Sequence, residues 1–144
     1  METRRQAHAV YRCEYHVVII PRYRFEIFTE EGVKRYLEIK LDEVRKYYPE
    51  IEYIERNIQS DHVHMVLSFP PKYSISEVVG IIKQNTGKAM REEFDFIKKR
   101  YYGRGGLWSI GYFVSTIGLD EQMIRKYVRY QEKEDSGRSK IALV

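Results

Sequence analysis

Along Asp61-His62-Val63-His64-Met65-Val66-Leu67-Ser68-Phe69 apolar residues return every second position, the period of a half-buried β-strand. Val63, Met65, Leu67 and Phe69 share one face of that strand, and His62 and His64 leave from the other. After a polar lead-in over Met1 to Ala9, the same period marks Tyr11 to Ile20 as a strand that Pro21 ends. Its two faces are Tyr15, Val17 and Ile19 against His16, Val18 and Ile20. Ile51 to Ile58 predicts another strand, joined to the histidine strand by the short Gln59-Ser60-Asp61 connection, and Gly111 to Thr116 predicts a fourth. Between the strands the period lengthens to that of a helix. Val33, Tyr36, Leu37, Leu41 and Val44 follow Thr29-Glu30-Glu31-Gly32, which offers an N-cap and first-turn acids, and Tyr48-Pro49 stops the run. Ser74-Ile75-Ser76-Glu77 caps a second helix bearing Val78, Val79, Ile81, Ile82 and Met90, with Lys83 and Lys88 on its polar side. Phe94 to Tyr101 continues as a helix or helical turn, and Asp120 caps a last helix over Glu121 to Lys133.

Strand, helix, strand, strand, helix, strand and a closing helix is the order of a split βαβ unit. The expected fold class is therefore α+β and ferredoxin-like: an antiparallel four-stranded sheet with helices on one face and an extra C-terminal helix. The first and third strands pair at the centre in that order, which brings His16 toward His62 and His64 on a face left open for a ligand. The 144 residues fit one domain, with a core over 10–118, the closing helix over 119–133 and a polar tail over 134–144. No apolar run reaches the ~18 residues that span a bilayer, and no signal-like segment follows the N-terminus, so a cytoplasmic location without a membrane role is expected. A single cysteine, Cys13, excludes an internal disulfide and a thiolate zinc cluster. The net charge of +4 and the 13 tyrosines are compatible with a nucleic-acid partner, since phenol rings stack on unpaired bases.

Two imidazoles side by side on a rigid strand are half of a divalent-metal site. A second half is available on the closing helix, where Tyr127 and Gln131 stand four residues apart and so one turn above each other. A phenol that titrates near 10 is a poor nucleophile unless a metal polarises its target, most naturally a phosphodiester. The Gln131 carbonyl oxygen can complete a His, His, Gln ligand set, and mixed nitrogen and oxygen ligands with open positions suit Mg²⁺ or Mn²⁺. Tyr130 is a rival nucleophile, but it points about 100° away from Gln131 round the helix.

These blocks resemble the small single-tyrosine (Y1) transposases of the IS200/IS605 insertion-sequence family, within the HUH endonuclease superfamily. The resemblance runs through Tyr15-His16-Val17-Val18 with Pro21-Arg22-Tyr23-Arg24, then Asp61-His62-Val63-His64-Met65, then Trp108-Ser109-Ile110-Gly111-Tyr112-Phe113, and ends on Tyr127-Val128-Arg129-Tyr130-Gln131. It implies that His62, His64 and Gln131 hold Mg²⁺ or Mn²⁺ and that Tyr127 attacks single-stranded DNA, leaving a 5′-phosphotyrosine and a free 3′-OH. Strands are then rejoined without a nucleotide cofactor, which excises and inserts the insertion sequence. The resemblance also implies a homodimer, and DNA held through subterminal hairpins. Arg12, Arg22, Arg24, Lys83, Lys88 and Arg104 are the expected phosphate contacts. Ile20 and Arg22 depart from the bulky aromatic and the lysine that many relatives carry. Two other readings stand beside this one: a domesticated nickase using the same site, and a non-catalytic single-strand binder that stacks bases on sheet aromatics.

Overall fold

In the computed structural model, which describes residues 4–6, 9–11 and 13–142 (side chains over 13–137), β1 (Arg4–Gln6) and β2 (Ala9–Tyr11) form a small antiparallel hairpin. Strands β3 (Tyr15–Ile19), β4 (Glu52–Ile58), β5 (Val63–Ser68) and β6 (Phe113–Ser115) build one antiparallel sheet in the order β4-β5-β3-β6. The helices are α1 (Glu31–Tyr47), α2 (Ile75–Glu93), the short α3 (Asp95–Arg100) and α4 (Glu121–Ala142). The expected α+β, ferredoxin-like arrangement is thus present. The strand expected over Tyr11 to Ile20 is divided, because Ala9–Tyr11 pairs with Arg4–Gln6 and the large sheet starts at Tyr15.

Alternation places the core as expected. Val17 and Ile19 of β3 and Val63, Met65 and Leu67 of β5 meet Leu37, Leu41 and Val44 of α1 and Val78, Val79 and Ile82 of α2, all buried. Each such side chain contributes about 1.5–3 kcal/mol by leaving water. The start of α2 is held by a complete capping box: Ser74 accepts from the Glu77 backbone N–H, and the Glu77 carboxylate accepts from that of Ser74. At α1 the cap differs from expectation. Glu30 occupies the N-cap position and makes no side-chain cap bond, so this helix relies on its buried stripe. Val66 and Ser68 alternate onto the other face of β5 and are buried as well.

Two features prepare the other face of the sheet. First, the segment after α3 extends the edge of β3: Arg22 N–H donates to Leu107 O (2.7 Å), Ser109 N–H donates to Ile20 O (2.9 Å), and Pro21 bridges Trp108. Trp108 is pinned to α2, its Nε1–H donating to Thr86 Oγ1 at 3.0 Å while its ring lies 3.4 Å from where a Cβ on Gly87 would stand. Second, α4 runs to Ala142, so the polar stretch expected as a tail is helical there. Ile124, Tyr127 and Val128 of α4 form a second apolar cluster with Val18 and Ile20, on the face opposite α1 and α2. That face, expected to be open, is therefore partly covered. Among the described residues no helix is long and apolar enough to cross a membrane.

Candidate active site

His64 sits on β5 opposite Val18 of β3 and Asn57 of β4, and its ring lies 5.6 Å from that of His16. The expected approach of His16 to the histidine pair is present for His64. The His64 Nε2 atom is buried and has no hydrogen-bond partner among the described residues. Burial lowers the pKa of this imidazole and neighbouring His16 adds to the effect, so the ring is held neutral with a lone pair available. His62, one residue before β5, is fixed differently: its Nδ1–H donates to Asp61 Oδ1 at 2.9 Å. That bond leaves His62 Nε2 as the free nitrogen, the tautomer a metal ligand needs. Asp61 is itself gripped by Arg24 (Nε to Oδ2, 2.7 Å), and His62 and Arg24 together pull its carboxyl down to about 2.

The other half of the site lies on the opposite flank of β3. Tyr127 packs on Phe113 with ring centroids 5.5 Å apart, and its hydroxyl is buried without a partner among the described residues. Burial, and the nearby Asp135 carboxylate, push this phenol above its ordinary value, so in the docked helix it is a protonated and weak nucleophile. One turn on, Gln131 Nε2 donates to Ile110 O and to Asp135 Oδ1, both at 3.1 Å. Its Oε1 faces Gly111, 3.6 Å from where a Cβ would be; Gly111 has φ 110°, a conformation that favours glycine. A different flank of α4, with Ile124, Arg125, Val128 and Arg129, faces His62 across a cavity of about 420 Å³ that Arg24 and Asp61 also line. Among the described residues no hydrogen bond or ring contact joins Tyr127 or Gln131 to His62 or His64. The docked helix brings the two halves to one face of the sheet.

No three His, Cys, Asp or Glu side chains cluster as a metal site among the described residues, so an ion held by His62 and His64 needs a third ligand of another kind. The chemistry of the donors fits one: two imidazoles, that of His64 with a buried nitrogen lacking a hydrogen-bond partner among the described residues, and an amide oxygen whose own nitrogen is already bonded.

The cations expected at phosphates divide into groups. Arg12 lies outside the described residues. Lys83, expected on a polar face, is turned inward: its Nζ donates to Ser109 O at 2.7 Å and to Gly111 O, and burial, with Arg22 close by, pulls it down to about 8. It holds the loop that Gln131 touches. Arg22 lies against Gly105, where a Cβ would come within 3.1 Å of the guanidinium, and Arg24 is bonded to Asp61 and Glu132. Arg104 stacks over Tyr23, and Lys88 lines a separate groove with Arg91, Lys98 and Tyr102. Sequence reasoning passed over Arg125 and Arg129, although their spacing of four beside Ile124 and Val128 already places them on one flank. It also passed over Asp135, four residues past Gln131 on the same flank, because the expected helix ends at Lys133.

Burial raises the phenols of Tyr53 and Tyr101 as well as that of Tyr127. Above pH 10 the folded chain then holds protons that the unfolded chain has lost, so stability is full below pH 10 and falls as pH rises. Each phenol adds up to about 1.4 kcal/mol of loss per pH unit. Lys83 acts in the opposite sense between pH 8 and 10.5, where its unfolded form binds the extra proton. Urea midpoints are expected to fall steeply from pH 10.5 to 11.5, and a midpoint that keeps rising there contradicts the burial of these hydroxyls.

The sheet thus carries His62 and His64 at one face, crossed by a helix with Tyr127 and Gln131 one turn apart. The chain belongs to the IS200-like transposase family: residues 9–131 match the family described as "Transposase IS200 like". The transposase of insertion sequence IS200 from Salmonella typhimurium is 34% identical over 131 residues, covering 90% of this chain and 83% of that one. The ISDra2 transposase TnpA of Deinococcus radiodurans is 27% identical over 127 residues, covering 88% and 89%. Among solved structures, a transposase-like protein of Deinococcus radiodurans superposes with a TM-score of 0.74 at 24% identity, covering 89% of this chain and 97% of that one. A REP-associated tyrosine transposase bound to a REP hairpin superposes at 0.52 with 15% identity, covering 90% and 70%. These two likenesses bear on the fold.

Proposed function

We propose that this transposase cleaves and rejoins single-stranded DNA through Tyr127, with His62, His64 and Gln131 holding Mg²⁺ or Mn²⁺. The observation that carries the reading is the unpaired, neutral His64 Nε2 beside an Asp61-oriented His62, on the face that the tyrosine helix crosses. When bound, the metal would polarise the scissile phosphate and offset its developing charge. Asp61 keeps the His62 proton on Nδ1, and the apolar surroundings keep His64 uncharged. The Tyr127 oxygen forms a bond to phosphorus as the bond from phosphorus to the 3′-oxygen breaks; the phenol gives up its proton and the departing 3′-oxygen gains one. The product is a 5′-phosphotyrosine and a free 3′-OH, and attack by an incoming 3′-OH reverses the step and releases Tyr127. Because the phosphoryl bond is conserved on the protein, no nucleotide cofactor is required.

The docked helix is a resting arrangement in this reading. Tyr127 and Gln131 face β6 and the Ser109–Gly111 loop, so activity needs α4 to shift, or the equivalent helix of a second subunit to reach the histidines. A homodimer supplies the second route. Arg125, Arg129 and Arg24 around the His62 cavity would draw in the phosphate backbone, and hairpins near the element's ends would hold the strand. The test incubates the protein with Mn²⁺ and single-stranded DNA from the flanks of its gene. The expected result is a denaturant-resistant protein–DNA adduct that mass spectrometry maps to Tyr127 and that chelator abolishes. An adduct on Tyr130 keeps the chemistry and overturns the assignment; tight binding with no adduct favours a binding module.

A further inference from the structure

Asp135 lies one turn beyond Gln131 and four residues past the end of the family match. It is a carboxylate at 3% exposure with both oxygens engaged. Oδ1 accepts from Gln131 Nε2 at 3.1 Å, while Oδ2 accepts from Ser109 Oγ at 2.5 Å and from the Tyr23 backbone N–H at 3.0 Å. These contacts differ in kind. The bonds to Ser109 and Tyr23 join α4 to the rest of the domain and break whenever the helix leaves. The bond to Gln131 is internal to the helix, spanning one turn, and travels with it.

A glutamine amide can present either its oxygen or its nitrogen, and only the oxygen can ligate a cation. In the docked state two acceptors, Ile110 O and Asp135 Oδ1, both claim the nitrogen. Away from the Ile110 loop, Asp135 alone remains to hold it. We propose that Asp135 is a positioning residue for Gln131: it keeps the amide nitrogen turned inward and the carbonyl oxygen outward, wherever α4 docks. An anionic acceptor on the nitrogen also polarises the amide and makes its oxygen a better donor to a metal. The inference rests on the reading of Gln131 as a ligand. A carboxylate that served only to clamp the helix would act through Ser109 and Tyr23 instead.

The experiment measures Mn²⁺ affinity directly, by electron paramagnetic resonance of the free ion, in full-length protein carrying Tyr127→Phe so that bound flanking single-stranded DNA is not cut. Asp135→Ala is expected to weaken Mn²⁺ binding about tenfold, at the lower end of what loss of a ligand's orienting partner costs. Asp135→Asn, which keeps an accepting oxygen, should stay within about threefold, and Ser109→Ala within about twofold, by the same scale. In a Gln131→Ala background Asp135→Ala should add nothing. Unchanged affinity in Asp135→Ala, or an equal loss in Ser109→Ala, overturns the proposal and leaves Asp135 as a clamp. If Gln131→Ala itself leaves Mn²⁺ binding unaltered, the ligand assignment falls and takes this inference with it. Should Asp135→Ala fail to fold, the side-chain amide protons of Gln131 in the parent protein carry the test. They are expected to exchange with solvent far more slowly than those of an exposed glutamine, and equal exchange overturns the proposal.

Discussion

Tyr127→Phe is expected to end strand cleavage while hairpin-bearing DNA stays bound within a few-fold. The substitution removes one oxygen that is buried and without a hydrogen-bond partner, so it unties nothing in the fold, and the Phe113 contact is kept by the ring. Stability should hold or rise slightly, because an unsatisfied buried hydroxyl costs about 1–3 kcal/mol. The chemical loss should be roughly a million-fold, the scale reached when a covalent nucleophile is removed from its catalytic unit. Cleavage assays on labelled single strands, run beside gel-shift titrations, separate the two effects. Loss of binding in step with cleavage would mean that the hydroxyl serves DNA recognition instead.

The second large effect is expected at His64, where stability and activity should move in opposite directions. His64→Phe replaces a half-buried ring, whose buried nitrogen has no partner among the described residues, by a ring with no such atom, and retains the packing on His16. No charge is lost, since burial already holds the imidazole neutral. Relief of the unpaired atom should stabilise the fold by about 1 kcal/mol, or about 3 °C in melting temperature for a chain of this size. Metal-dependent cleavage should fall below detection, because one of two imidazole ligands is gone. A variant that melts lower and still cleaves would show that His64 is a structural residue. The pairing of these outcomes is the usual mark of a group retained for chemistry against the interest of the fold.

The parts of the molecule that were legible in advance are those that local period records. Alternation placed Val63, Met65 and Leu67 inward and the histidines outward, and the Ser74–Glu77 box announced the start of α2. The spacing of Tyr127 and Gln131 was legible for the same reason. What period does not record is burial by polar contact. Glu132-Lys133-Glu134-Asp135 reads as a solvated run, yet Asp135 is buried because Ser109 and Tyr23, distant in the chain, meet it there. Lys83 was misplaced on similar grounds. Its helix position is ordinary, and only the crossing of the Ser109–Gly111 loop over α2 turns its ammonium inward. The caps show the same division: Ser74 acts through its neighbours in sequence, whereas α1 starts without a side-chain cap and depends on packing.

Tyr23 and Arg24 both have left-handed backbone, with φ of 63° and 55°, a conformation costing about 1 kcal/mol or more for each non-glycine residue. Both are held there by contacts that reach α4: Tyr23 through Asp135, and Arg24 through Glu132 as well as Asp61. The helix and the turn therefore form a clasp, and in the proposed shift of α4 Tyr23 would lose its Asp135 partner while Arg24 keeps Asp61. In the same shift Arg24 would part from Glu132, while Arg125 and Arg129 would travel with the helix. Uncovering the site and slackening the turn beside it would then be a single event.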